Sequence, residues 1–176
     1  MSYSSVKDNS YKIYNAKYED LPHILAIWRH TLEEHEKMEP EHYSCCEDAL
    51  RVYADILKIA INSSQHYVKV VKSDDNLVVA FLYGYIRSLP QVFKPKLQGY
   101  ISDISVDKNH QKKGLGQLIF KDFVKWAMLK GATSISLNVH IKNNAAIQFY
   151  EKLGLKKQMF IMRASINEIM SEEGFH

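Results

Sequence analysis

Apolar residues recur along this chain at two spacings, one helical and one strand-like. Leu21, Ile24, Leu25, Ile27, Trp28 and Leu32 form a stripe at helical spacing, with Asp20 as cap and Pro22 in the first turn. This predicts a helix running to about Lys37, broken by Pro40. Leu50, Tyr53, Ala54, Leu57 and Ile61 predict a second helix over residues 46–61. The interleaved tyrosines and Ile13 suggest a short first strand over 11–16. Apolar runs at 66–71 and 77–87, joined by the polar residues 72–76, predict an antiparallel hairpin. Pro90 and Pro95 bound a loop before a fourth strand at 99–106. A helix at 114–130, a turn at Gly131, a strand at 134–140, a helix at 143–153 and a last strand around 159–164 complete the pattern.

The order β-α-α-β-β-β-α-β-α-β places the chain in the α/β class, with a mixed sheet and helices on both faces. The strand, helix, strand passage over 99–140 calls for a right-handed crossover and parallel pairing. With 176 residues, 46% of them hydrophobic, one core is expected, in a single domain over 11–170 after a loose segment at 1–10. No apolar run is long enough to cross a membrane or act as a signal peptide. Cys45 and Cys46 are neighbours, a geometry that rarely forms a disulfide, so a reducing, cytoplasmic setting is expected. The net charge of +3 is too small to point to a nucleic-acid partner.

Between two elements lies the segment that carries chemistry: Gln111, Lys112, Lys113, Gly114, Leu115 and Gly116, after the fourth strand and before an apolar-periodic helix. Glycines one residue apart let successive N–H groups converge on an anion, and the helix start adds its positive dipole end. Lys112 and Lys113 add charge at the rim. A dinucleotide fingerprint needs a third glycine and a P-loop needs G-K-[ST]; neither occurs.

Residues Gln111, Gly114 and Gly116, preceded by Ile104, Ser105 and Val106, resemble the acetyl-CoA signature [RQ]-x-x-G-x-[GA] of the GNAT superfamily of N-acetyltransferases. The run from Asn143 to Leu155 resembles a second block of the same family, N-x-x-A-x-x-x-Y-x-K-x-G-[FL], about 30 residues further on. The close match covers roughly residues 99–163. The resemblance implies a GNAT-like acyl-CoA N-acyltransferase fold, a mixed, mostly antiparallel sheet whose fourth and fifth strands splay apart around the pantetheine arm. It implies acetyl-CoA as cosubstrate and an amine acceptor, joined in a ternary complex. The alternative is a regulatory domain that binds acyl-CoA without catalysis. A homodimer is left open; no membrane, nucleic-acid or metal partner is expected, since the adjacent cysteines beside His35 and His42 lack zinc spacing.

The implied roles are as follows. The backbone from Gln111 to Gly116 binds the pyrophosphate, and the edge of Ile104, Ser105 and Val106 hydrogen-bonds the pantetheine amides as an added strand. By resemblance the N–H of Val106 is the oxyanion donor. Asn143 is a cofactor contact or helix cap, a role Asn144 shares. Tyr150 stands where the family's tyrosine protonates the departing thiolate, with core packing or cofactor anchoring as the plainer roles. A phenol of pKa about 10 can protonate a thiolate whose acid has pKa about 8.5 at a cost of roughly 2 kcal/mol. Asp103 is the candidate base or water-holder. Strand alternation groups it with Ile101 and Ser105, and puts Tyr100, Ser102 and Ile104 on the other face. In some relatives a carboxylate base lies six residues before the valine, and here that residue is Tyr100, which argues against a fixed-glutamate mechanism. Trp28 and Trp126 read as core. An acidic rim bearing Glu33, Glu34 and Glu36 is expected to draw a cationic acceptor.

Overall fold

The computed structural model describes residues 10–90, 92 and 96–171; most of the expected N-terminal segment and part of the loop between Pro90 and Pro95 lie outside them. Five strands, β1 (Tyr11–Asn15), β2 (His66–Ser73), β3 (Val78–Ser88), β4 (Leu97–Val106) and β5 (Ala132–Leu137), form one sheet in sequence order. The first four are antiparallel to their neighbours, and β5 runs parallel to β4. Alternation along the central strands divides the buried residues between two faces. Val68, Val70, Phe81 and Tyr83 meet α1 (Leu21–Met38) and α3 (Ala49–Ile61), while Tyr67, Val71, Ala80, Leu82 and Ile101 meet α4 (Leu115–Leu129). Helices therefore cover both faces, as the pattern predicts.

Pro40 does not merely break the first helix. It opens a short helix, α2 (Pro40–Tyr43), because proline suits a first turn whose N–H has no intrahelical partner. The following helix starts at Ala49 rather than Cys46. After β5 come α5 (Asn144–Lys152) and α6 (Ile166–Ser171), the latter not anticipated.

Two strand expectations fail. The fifth strand ends at Leu137 instead of reaching His140, because its pairing with β4 stops at Ile101↔Leu137 and among the described residues no neighbouring strand continues the ladder. The last strand, around 159–164, does not form. Met159, Phe160, Ile161 and Met162 have strand-like composition, yet each is at least 75% exposed and none joins a ladder. Strand preference takes effect only against a partner edge.

A bulge in β4 shapes the site. Tyr83 pairs with Asp103, but Gly84 pairs with Ile101, so Ser102 is an extra residue. From there the two faces exchange. Ile101 packs under α4 with Phe123, opposite to Asp103, while Tyr100 meets Tyr85 with ring centroids 5.3 Å apart on the Asp103 side. The simple alternation of Ile101 with Asp103 is thus overturned; that of Ser105 with Asp103 holds. Gly84 makes the close approach possible, since a Cβ there would lie 2.6 Å from Phe123 Cε2 and 2.7 Å from the Tyr100 carbonyl oxygen. Gly84→Ala is expected to destabilise the fold by about 1–3 kcal/mol, measured by urea unfolding. An unchanged midpoint would show that the strands can separate there without cost.

Candidate active site

The parallel pairing of β4 and β5 ends at Ile101, so the β5-side edge of β4 from Ser102 to Val106 has no strand partner among the described residues. This is a splay of the two strands. It leaves Ile104, Ser105 and Val106 on an edge where an extended amide chain can add.

The glycine loop follows directly. Asp107 Oδ1 accepts from Asn109 N–H at 2.9 Å and lies 3.0 Å from His110 Nδ1, which holds the turn after β4 and keeps the Asp107 carboxyl below its usual range. Gln111 Nε2 donates to the Val106 carbonyl at 3.4 Å, and Lys113 Nζ to Tyr11 Oη at 3.2 Å. Two residues take left-handed backbone, Lys112 at φ +60° and Gly114 at φ +79°. Gly114 is the N-cap of α4 with no side-chain cap, so the first N–H groups of α4 are open to an anion.

The two glycines do different work. Gly116 lies within the first turn of α4, where a Cβ would be 3.2 Å from Phe149 Cζ. Its smallness seats α5 against α4. Lys112, assigned only a rim charge on sequence grounds, supplies the second left-handed position.

On α5, Asn143 caps the helix by accepting from Ala146 N–H at 3.0 Å, and Asn144 is its first residue. Tyr150 is partly buried; burial, then the Asp103 charge, raise its phenol pKa.

Asp103 is the electrostatic centre of the site. Trp28 Nε1 donates to its Oδ1 at 3.1 Å, and one turn on Thr31 Oγ1 meets Ser105 Oγ at 2.8 Å. Its charge also acts on Tyr53, Tyr83, Tyr100 and Tyr150, adding to the upward shift that burial imposes on each phenol. His35 is shifted down by burial, a change that Asp103 opposes. Trp28, Tyr53, Tyr100 and His35 were not assigned to the site from sequence. The available signal was the spacing Trp28, Thr31, His35, a row of polar tips along the buried stripe of α1.

Glu33, Glu34 and Glu36 are exposed on α1, and Glu33 lies 3.5 Å from His30. Among the described residues no hydrogen bond or ion pair joins any of them to Asp103. His140, just past β5, meets Glu39 at 2.7 Å, and Lys142 Nζ donates to the Met38 carbonyl at 2.8 Å. These contacts tie the end of α1 to the loop leading into α5.

The model of the acetyltransferase (GNAT) family matches residues 24–155. The chain belongs to this family. An N-alpha-acetyltransferase of Saccharolobus solfataricus is 26% identical over 161 residues, covering 86% of this chain and 83% of the relative. The N-alpha-acetyltransferase 30 of Xenopus laevis is 30% identical over 73 residues, and there the match spans only 26% of the relative's length. Among solved structures, a mutant of the BH1408 protein of Bacillus halodurans superposes with a TM-score of 0.81 at 22% identity, covering 88% of this chain and 99% of that one. An aminoglycoside 6'-N-acetyltransferase of Acinetobacter haemolyticus gives 0.68 at 15% identity, covering 88% and 97%. The splayed sheet described above is therefore a GNAT fold. The match reaches well upstream of the two motif blocks, to the α1 stripe that meets Asp103.

Proposed function

We propose that this chain is an acetyl-CoA-dependent N-acetyltransferase that moves the acetyl group to a primary amine by direct attack in a ternary complex. The observation that carries the reading is the open edge of β4 beyond Ile101, which runs directly into an uncapped helix start that follows a left-handed glycine. The loop from Gln111 to Gly116 holds the pyrophosphate, and Ile104, Ser105 and Val106 hold the pantetheine amides.

An alkyl ammonium of pKa about 10.4 must lose a proton before attack. Asp103 receives the ammonium group and directs that proton towards solvent. The attacking nitrogen adds to the carbonyl carbon while the Val106 N–H stabilises the oxyanion; as the carbon–sulfur bond breaks Tyr150 protonates the leaving sulfur, and the proton shed by the new amide nitrogen passes through solvent to restore the phenol. Burial makes Tyr150 a weaker acid than a free phenol, but the same dry surroundings make the departing thiolate a stronger base.

The relatives named for N-alpha and aminoglycoside acetylation support a peptide or small-molecule amine as acceptor. Location in the cytoplasm belongs to this reading, as does a homodimer, which the exposed run Met159 to Met162 favours. The rim of Glu33, Glu34 and Glu36 acts by steering. Neutralising all three is expected to raise the amine KM several-fold at low salt and less near about 0.15 M, with the acetyl-CoA KM unchanged. Equal amine KM values at both salts would show a merely solvated face.

The deciding experiment is thiol release from acetyl-CoA in the presence of amines, polyamines, aminoglycosides and peptides. Release with at least one class is expected. Tight acetyl-CoA binding with no release across the panel would favour the regulatory domain instead.

A further inference from the structure

The bulge at Ser102 turns Tyr100, and Gln98 two residues before it, onto the sheet face that holds Asp103. There they stand opposite Tyr85 and Arg87 of β3 and beside Ser136 and Ser134 of β5. Helices α1 and α3 bury Tyr83 on this face, but further along Arg87 and Ser134 are exposed. That end of the face is open to solvent.

Neutral partners hold Arg87 in place. Its Nε donates to Gln98 Oε1 at 2.9 Å and its Nη2 to Ser136 Oγ at 3.1 Å. Gln98 is itself fixed by donating from Nε2 to Ser134 Oγ at 3.2 Å, which leaves its carbonyl for the arginine. The guanidinium carbon lies 4.1 Å from the centre of the Tyr100 ring. A side chain held this way has little freedom left to lose when a ligand arrives. Its charge is not neutralised: among the described residues no carboxylate lies within ion-pair distance of Arg87. Arg51 of α3, by contrast, meets Asp48 at 2.7 Å and Asp55 at 3.9 Å. A planar, oriented guanidinium with unspent N–H groups and no counter-charge suits a carboxylate.

Arg87 also stands near the proposed chemistry. The Tyr83–Asp103 and Tyr85–Tyr100 pairs are one two-residue step apart along β3, roughly 7 Å. Burial and the neighbouring Tyr85 raise the Tyr100 phenol pKa; Arg87 opposes the rise and Asp103 adds to it, so both charges act on one ring. A short aliphatic chain can span from the guanidinium to the open edge of β4, over the rings of Tyr85 and Tyr100.

We propose that Arg87 binds a carboxylate carried by the acceptor, so that an amine with a carboxylate a few methylene groups away is preferred over a neutral amine of the same length. This rests on the reading of the chain as an amine acetyltransferase. Such an acceptor keeps the ammonium on which the acidic rim of α1 acts. Gln98, Ser136 and Tyr100 are positioning residues that present the guanidinium.

The probes are ε-aminocaproate and its uncharged amide, ε-aminocaproamide. The acid is expected to have a KM about fivefold below that of the amide, the upper end for an ion pair open to solvent. Arg87→Gln should bring that ratio to about one; Arg87 is exposed, so its replacement leaves the core intact. Binding is read separately. The chain has four arginines, and in an ¹⁵N-labelled sample the Nε–H signal missing from Arg87→Gln belongs to Arg87. With CoA at saturation, ε-aminocaproate should move that signal saturably, about fivefold more tightly than the amide does, and leave the signal of Arg51 in place. An Arg87 signal moved no more by the acid than by the amide or by sodium chloride of equal ionic strength, or a KM ratio unchanged by Arg87→Gln, would overturn the site. If neither probe is acetylated, the signal alone decides. Thiol release separates the two readings: an Arg87 response with no release from any amine removes the enzymatic reading and keeps the carboxylate site, and release with an unresponsive Arg87 does the reverse.

Discussion

Gly114→Val is expected to abolish the rise in melting temperature that acetyl-CoA gives the parent chain. A ligand that binds only the native state stabilises it by RT ln(1 + [L]/Kd), roughly 2.7 kcal/mol at a hundredfold excess over Kd. That gain depends on Gly114 holding φ +79°, uncapped, at the start of α4. A β-branched residue disfavours left-handed backbone and fills the space a phosphate needs. The substitution also strains the free protein, so each shift is measured against the same variant without ligand. Gly131→Val is the control. Gly131 has a similar φ of +83°, and its nearest obstacle to a Cβ is Leu97 Cδ1 at 3.7 Å, at the turn into β5. It should lower the melting temperature and keep the full acetyl-CoA shift. If Gly114→Val keeps the shift as well, the loop does not cradle the pyrophosphate.

Tyr150→Phe removes one hydroxyl from α5 and keeps the ring, which meets Phe149 with centroids 5.2 Å apart. Folding and most cosubstrate affinity should survive. If the phenol protonates the departing sulfur, kcat falls by about 10²-fold to 10⁴-fold with a much smaller change in acceptor KM. If the hydroxyl only anchors the cosubstrate, the loss appears as a higher acetyl-CoA KM. A kcat within about threefold of the parent at saturating substrates would remove the acid role and leave solvent as the proton source.

Several site features were legible in the residues because they are local. A glycine at a helix entry and an asparagine three residues before an amide N–H encode their own backbone conformation, and the structure has both, at Gly114 and Asn143. The stripes of α1, α3 and α4 and the hairpin of β2 with β3 were readable for the same reason, since each has a period that one segment suffices to define.

The surroundings of Asp103 were not legible. Asp103 was visible as a carboxylate on β4, but its companions depend on the register of β3, where the extra Ser102 brings Tyr100 to the Asp103 face and sends Ile101 beneath α4. Trp28 and Tyr53 lie on apolar stripes, and a stripe shows which face is buried but not where an indole N–H or a phenol oxygen points. The run from Met159 to Met162 has the composition of a strand without a partner edge, and so forms none. The chain's local order thus determined the GNAT scaffold and the uncapped, glycine-led entry of α4, through periodicity and special backbone positions. Only tertiary pairing decided which side chains surround Asp103, because facing and partnership are set by contacts between segments far apart in the sequence.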